Sequence, residues 1–140
     1  MFKAELEVPR LILCRRLKTL GYPQEGDGWY WVEILEYGKI SNWHLIFPSE
    51  KPEEYAYVIG DKINNVIKAP TIGELGAWLP KKAIKEDIVY FLRMEKESIY
   101  YETLCLLLDP YLIRFVNDTE ANLRATMLIW LIENKYFKFK

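Results

Sequence analysis

The sequence predicts an α+β fold: an N-terminal helix with two or three strands, then an α-β-β-β-α half whose antiparallel sheet is covered by helices. Three observations carry this expectation. Apolar residues recur at helical spacing in three segments. Runs dense in aromatic and β-branched residues lie between them. Glycine, proline and Asn/Asp residues mark the boundaries. At 140 residues a single domain, 1–140, is expected. It has room for two subdomains, a helix plus β-meander over 1–60 and the α-β-β-β-α unit over 69–140.

The first helix is expected over residues 9–20. Pro9 suits a first helical position, and Leu13, Cys14, Leu17 and Leu20 share one face. Gly21 stops the helix in a left-handed conformation, with Pro23 behind it. Trp29–Glu36 reads as a strand, because Trp-Tyr-Trp-Val-Glu-Ile-Leu-Glu is aromatic and β-branched. Gly38 marks a turn, and Trp43–Phe47 is the partner strand, closed by Pro48. A third short strand is expected over Tyr55–Ile59, then a turn at Gly60-Asp61, with Asp61–Ala69 connecting the halves.

Thr71–Leu79 reads as a short helix. Thr71 and Glu74 match a capping box; Ile72, Leu75, Trp78 and Leu79 line one face; Pro80 ends it. Gly73 and Gly76 weaken this helix and leave room for close packing against a sheet. Asp87–Glu95 and Ser98–Cys105 form a hairpin about Lys96-Glu97, with Ile88, Tyr90, Leu92 and Met94 alternating against Val89, Phe91, Arg93 and Glu95. Tyr111–Val116 follows the Asp109-Pro110 turn as a further strand. Asn117-Asp118 caps the last helix, which runs to Lys135. Ala121, Ala125, Leu128, Leu131 and Ile132 form its stripe, widened by Met127, Ile129 and Trp130, so it is expected to be largely buried.

Composition narrows the function classes. Lys plus Arg is 19 and Asp plus Glu is 20, a net charge of −1. Residues 1–70 and 71–140 are each close to neutral, so there is no basic arm and no acidic tail. Generic nucleic-acid binding needs a surplus of cations to displace counterions, and none is present. Aromatic residues make up 15%, with five Trp, which argues against disorder. Cys14 and Cys105 sit in apolar surroundings with no disulfide or zinc spacing, which suits core positions in a reducing compartment. Met1–Glu7 is charged, and the longest apolar run is Met127–Ile132. No membrane span is therefore expected, and a cytoplasmic location is.

Motifs with chemistry are sparse. The single histidine, His44, has no HExxH or CxxC context, so no metal site and no cofactor is expected. No GxSxG, GxGxxG or GxxxxGK[ST] pattern is present. His44 could act as a general acid or base only in a pocket with a carboxylate such as Glu33. Two other readings have residues to test. Trp29, Trp31, Trp43 and His44 lie on the aromatic strands, and consecutive strand residues alternate faces, so a ring could face a partner. Arg15, Arg16, Lys81, Lys82 and Lys85 would make a basic patch if the fold brought them to one face. The α-β-β-β-α order matches that of double-stranded-RNA-binding domains, although the expected start of the last helix, Asn117-Asp118-Thr119-Glu120, is acidic where RNA binding wants cations.

Three stretches carry a resemblance: Leu17-Lys18-Thr19-Leu20-Gly21-Tyr22-Pro23-Gln24; Ala69-Pro70-Thr71-Ile72-Gly73-Glu74-Leu75 with Trp78-Leu79-Pro80; and Asp118-Thr119-Glu120-Ala121-Asn122 continuing to Leu131-Ile132-Glu133-Asn134-Lys135. Together they resemble small uncharacterised proteins of prophages and mobile elements of gut bacteria. The shared motifs are helix boundaries and bring no catalytic residue with them. The resemblance implies a bacterial or phage-borne intracellular accessory protein.

The expectation drawn from all this is a non-enzymatic module that binds another macromolecule, more readily protein than nucleic acid. A nucleic-acid-binding protein is the first alternative and a small enzyme with a site near His44 the second. A homodimer that buries the last helix or the aromatic strands against a second copy remains open.

Overall fold

The first helix, α1, spans Leu11–Thr19 in the computed structural model, which describes residues 7–36, 40–46, 62–104 and 109–139. Arg10 occupies the N-cap, so Pro9 precedes the helix rather than opening it. The expected stop holds. Gly21 has φ +100°, its N–H donates to Lys18 O at 3.0 Å, and Tyr22 N–H donates to Leu17 O at 2.9 Å. This paired bonding satisfies the last carbonyls of the helix and sets Leu17 and Tyr22 in one apolar cluster.

Strands β1 (Trp29–Glu36), β2 (Ile40–Ile46) and β3 (Lys62–Ala69) form an antiparallel sheet in the order β2-β1-β3. Two expectations are corrected here. The connector expected over Asp61–Ala69 is a strand from Lys62 onward, and β1 is the central strand, not the first of a meander. The three-stranded sheet thus reaches Ala69, past the subdomain limit at residue 60. The reason is physical. β1 is apolar on both faces and has two edges to satisfy. Lys62-Ile-Asn-Asn-Val-Ile-Lys-Ala69 carries two Asn and two Lys, which mask its strand character until it pairs with β1. The strand expected over Tyr55–Ile59, the Gly38 turn, Cys105 and Met1–Leu6 lie outside the described residues.

The short helix α2, Ile72–Trp78, has its full capping box. Glu74 N–H donates to Thr71 Oγ1, and Thr71 N–H donates to Glu74 Oε1, each at 3.2 Å. Strands β4 (Lys82–Lys85), β5 (Ile88–Glu95), β6 (Ser98–Glu102) and β7 (Tyr111–Val116) then form a four-stranded antiparallel meander in that order. The α+β class holds, and the β5–β6 hairpin lies where expected. This half has one strand more than the α-β-β-β-α reading. The extra strand is β4, whose local sequence carries little strand signal because two of its four residues are lysines, the residues that blunt an exposed sheet edge.

Helix α3, Glu120–Glu133, closes the fold. Its N-cap is Thr119, whose hydroxyl accepts from Asn122 N–H at 3.2 Å, and not the expected Asn117-Asp118. Asn117 instead turns the chain with φ +63°. The wide apolar stripe is buried as expected. Leu123, Ala125, Met127, Leu128, Ile129 and Leu131 pack with Tyr90, Ile99 and Tyr101 of the sheet and Leu17 of α1, and Ala121 is buried as well. Gly76 gives close approach, but to a helix rather than a sheet: the Arg124 guanidinium of α3 crosses the space a side chain would fill and donates to Ile72 O at 2.9 Å.

Candidate interaction surface

Of the expected interaction residues, the structure buries Trp29 and leaves Trp31, Trp43 and His44 partly exposed. Trp29, Trp31 and Trp43 share one face of the first sheet, the face on which α1 lies with Val8, Leu11 and Cys14. Trp29 is 5% exposed and belongs to the core, which corrects its expected role. Trp31 is half-buried, and its indole donates to Pro9 O at 3.2 Å. Trp43 is half-buried beneath Arg15, whose guanidinium carbon lies 5.7 Å from the ring centre. Cys14 is buried in the same core, and burial pushes its thiol up to about 12, so it is inert at neutral pH.

His44 pairs across the sheet with Val32, while Glu33 pairs with Trp43. Residues directly opposite share a face, and neighbours along a strand alternate. His44 and Glu33 are therefore on opposite faces, and the acid–base pair considered from the sequence is not assembled. Glu33 is engaged elsewhere, accepting from Ser41 Oγ and from Asn64 Nδ2, which hold its carboxyl below the ordinary range.

The basic residues are also dispersed. Arg16 pairs with Glu133 at 2.7 Å, and Arg15 covers Trp43. Both belong to the helical layer. Lys82 lies on the far face of the four-stranded sheet, 5.7 Å from the Phe91 ring centre; Lys81 precedes β4 and Lys85 ends it. These residues do not make one basic face.

The fold buries a cation that no sequence motif marks. Lys68, at the end of β3, is 2% exposed. Its ammonium donates to Asp27 O, lies 3.8 Å from Glu74 Oε2, and sits 5.0 Å from the Tyr30 ring centre. Its backbone N–H donates to Gln24 Oε1 at 2.9 Å. Lys68 thus ties the 24–28 loop and α2 to the first sheet. With its ammonium buried against the Asp27 carbonyl, a carboxylate and a ring, it reads as a structural lock.

Asp118 joins the starts of α1 and α3. It accepts from Thr119 N–H, from Asn122 Nδ2 and from the Arg10 guanidinium, each at 2.8 Å. Burial alone would raise its carboxyl, but these hydrogen bonds outweigh it and hold the group below its ordinary 3.8. The unfolded chain therefore takes up the proton first. The contribution to stability is full above about pH 4 and is lost as pH falls through the folded value. Asp118→Asn is expected to flatten the acid limb of the unfolding midpoint while running parallel to wild type above it. An acid limb as steep as that of wild type would contradict this. Beside Asp118 runs an open groove of about 930 Å³ with Glu95, Glu97 and Glu120 on its walls. Among the described residues no three His, Cys, Asp or Glu side chains are placed to hold a metal.

The far face of the four-stranded sheet is the remaining candidate. Strand alternation sends Tyr90, Leu92, Met94, Ile99, Tyr101 and Phe115 toward α3. It sends Lys82, Ile84, Val89, Phe91, Arg93, Glu95, Tyr100, Glu102, Tyr111, Arg114 and Val116 to the other side, where no described helix packs. Ile84, Tyr111 and Val116 are 61%, 38% and 45% exposed. The face is a lattice of rings and charges. Arg93 lies over Phe91 and donates to Glu102 at 3.2 Å. Arg114 lies 5.7 Å from the Tyr100 ring centre and 5.3 Å from that of Tyr111. The Tyr100 hydroxyl donates to Glu95 at 2.8 Å. The Phe91/Arg93 alternation in β5 was the one sequence signal for this face. The meeting of Tyr100 with Arg114 depends on cross-strand register.

In comparisons with known proteins, no protein-family model matches the chain, and no curated protein or solved structure matches it significantly.

Proposed function

We propose that this chain is a non-enzymatic, cytoplasmic protein of phage or mobile-element type that binds another protein on the open face of β4–β7. The observation behind the reading is that face itself: three of the most exposed large apolar side chains, Ile84, Tyr111 and Val116, share it with Phe91, Arg93 and Arg114. Aromatic residues and arginine are what protein interfaces concentrate, and this face presents both together with exposed apolar side chains on its two edge strands. The resemblance to mobile-element proteins supports the setting. Nucleic-acid binding is less well supported, because Glu95 and Glu102 stand on the same face and the α3 start carries Asp118 and Glu120.

The test compares immobilised wild type with the double variant Ile84→Glu/Val116→Glu in a gut-bacterial lysate, with and without nuclease. Both positions are exposed, so stability is expected to change by less than about 1 kcal/mol. The expected result is a stoichiometric protein that survives nuclease and is lost from the variant. A partner retained by the variant, or one released by nuclease, overturns the reading.

A further inference from the structure

We propose that the open face recognises a protein segment carrying a carboxylate flanked by apolar side chains, and that Arg114 is the anchor. This inference rests on the protein-binding reading and names the partner's chemistry.

The charges of the face are not evenly matched. Arg93 has Glu102, and Glu95 has the Tyr100 hydroxyl. Among the described residues, Arg114 and Lys82 lie over rings and have no carboxylate or hydrogen-bond acceptor. Arg114 is held in place by those rings. Tyr100 and Tyr111 meet edge to face, with centres 5.2 Å apart at 83°, and the guanidinium lies over both. An exposed guanidinium seated against two rings offers its planar fork of donors to a partner, and a carboxylate fits that fork bidentately. Val116 lies two residues further along the same strand face, and Tyr111 lies beside the cation on the other side, so apolar contacts flank the anchor.

A phosphodiester would fit the same fork. Two features favour a discrete carboxylate on a protein. A strand of phosphates crossing this face would pass Glu95 and Glu102, and like charges at close range repel. The chain also lacks the cation surplus that polyanion binding draws on.

The experiment selects from a phage-displayed random peptide library on wild-type protein. Selected peptides are then titrated calorimetrically against wild type, Arg114→Gln, Arg114→Lys and Val116→Glu, with thermal melts checking that each variant folds. The expected consensus contains Asp or Glu beside apolar residues. Arg114→Gln, and Asp→Asn or Glu→Gln in the peptide, should each weaken binding by about 10- to 100-fold, the range for a hydrogen-bonded charge pair. Made together they should cost little more than either alone, because both remove one contact. Arg114→Lys should fall between, keeping the charge and losing the fork. Peptides that lose binding in Val116→Glu but ignore Arg114→Gln overturn this inference and leave the protein-binding reading standing. Peptides indifferent to Val116→Glu, or no selected peptide at all, overturn the inference. A shift of a labelled single-stranded RNA oligonucleotide that depends on Arg114 overturns both readings.

Discussion

Replacing Leu17 with alanine is expected to lower the unfolding free energy by about 2–5 kcal/mol, the range for a fully buried Leu→Ala change. Leu17 is 1% exposed and packs among Leu75, Leu128 and Leu131, with Tyr22 bonded back onto it at the helix end. The expected effect goes beyond a local cavity. One turn earlier on the same helix, Cys14 belongs to the tryptophan core of the first sheet. Helix α1 is therefore shared by both sheets. Loosening its hold on α3 should loosen its seat on Trp29, Trp31 and Trp43 as well. Urea unfolding followed by circular dichroism and by tryptophan fluorescence should give one coincident transition, shifted to lower urea with an unchanged slope. A second transition at the wild-type midpoint would mean that the two sheets stand on independent cores.

Lys68→Ala is the second large expected effect, about 2–4 kcal/mol, from lost packing of a long buried side chain and from a carbonyl left without its donor. The ion pair with Glu74 adds little, since the Glu74 side chain is 39% exposed and its charge stays solvated when Lys68 is removed. Lys68→Met should recover part of the loss by restoring volume but not the bond to Asp27. Gly28→Ala attacks the same lock from the other side. Gly28 has φ +132°, where a side chain is strained, and a Cβ there would sit 2.5 Å from the Lys68 ammonium. Its expected cost is about 1–3 kcal/mol. Because both changes act on one contact, the double variant should lose less than their sum. Additive losses in the urea midpoints would show that loop and lysine act independently.

Much of the secondary structure was legible because it is written locally. The Thr71/Glu74 box, the Gly21 stop, the hairpin alternation and the wide stripe of α3 are set by neighbours within a few residues. The misses share a cause. Strand β3 contains two Asn and β4 two Lys, so their local preferences are weak, and each becomes a strand only by pairing with β1 or β5. The candidate site was less legible than the fold. Trp29, Trp31 and Trp43 drew attention as bulky rings on strands, yet burial depends on what packs above them, and that is α1.

What the sequence by itself determined is the α+β class, most element boundaries, and a near-neutral chain without a recognised catalytic motif. These follow from spacing, capping chemistry and composition, all readable along one dimension. Only the tertiary structure decided which sheet face is covered. It set His44 and Glu33 on opposite faces, buried Lys68 behind Gly28, and brought Arg114 over Tyr100 and Tyr111. Register and layer packing join residues far apart in the chain, and the free energy that selects them comes from surface removed from water across the whole molecule.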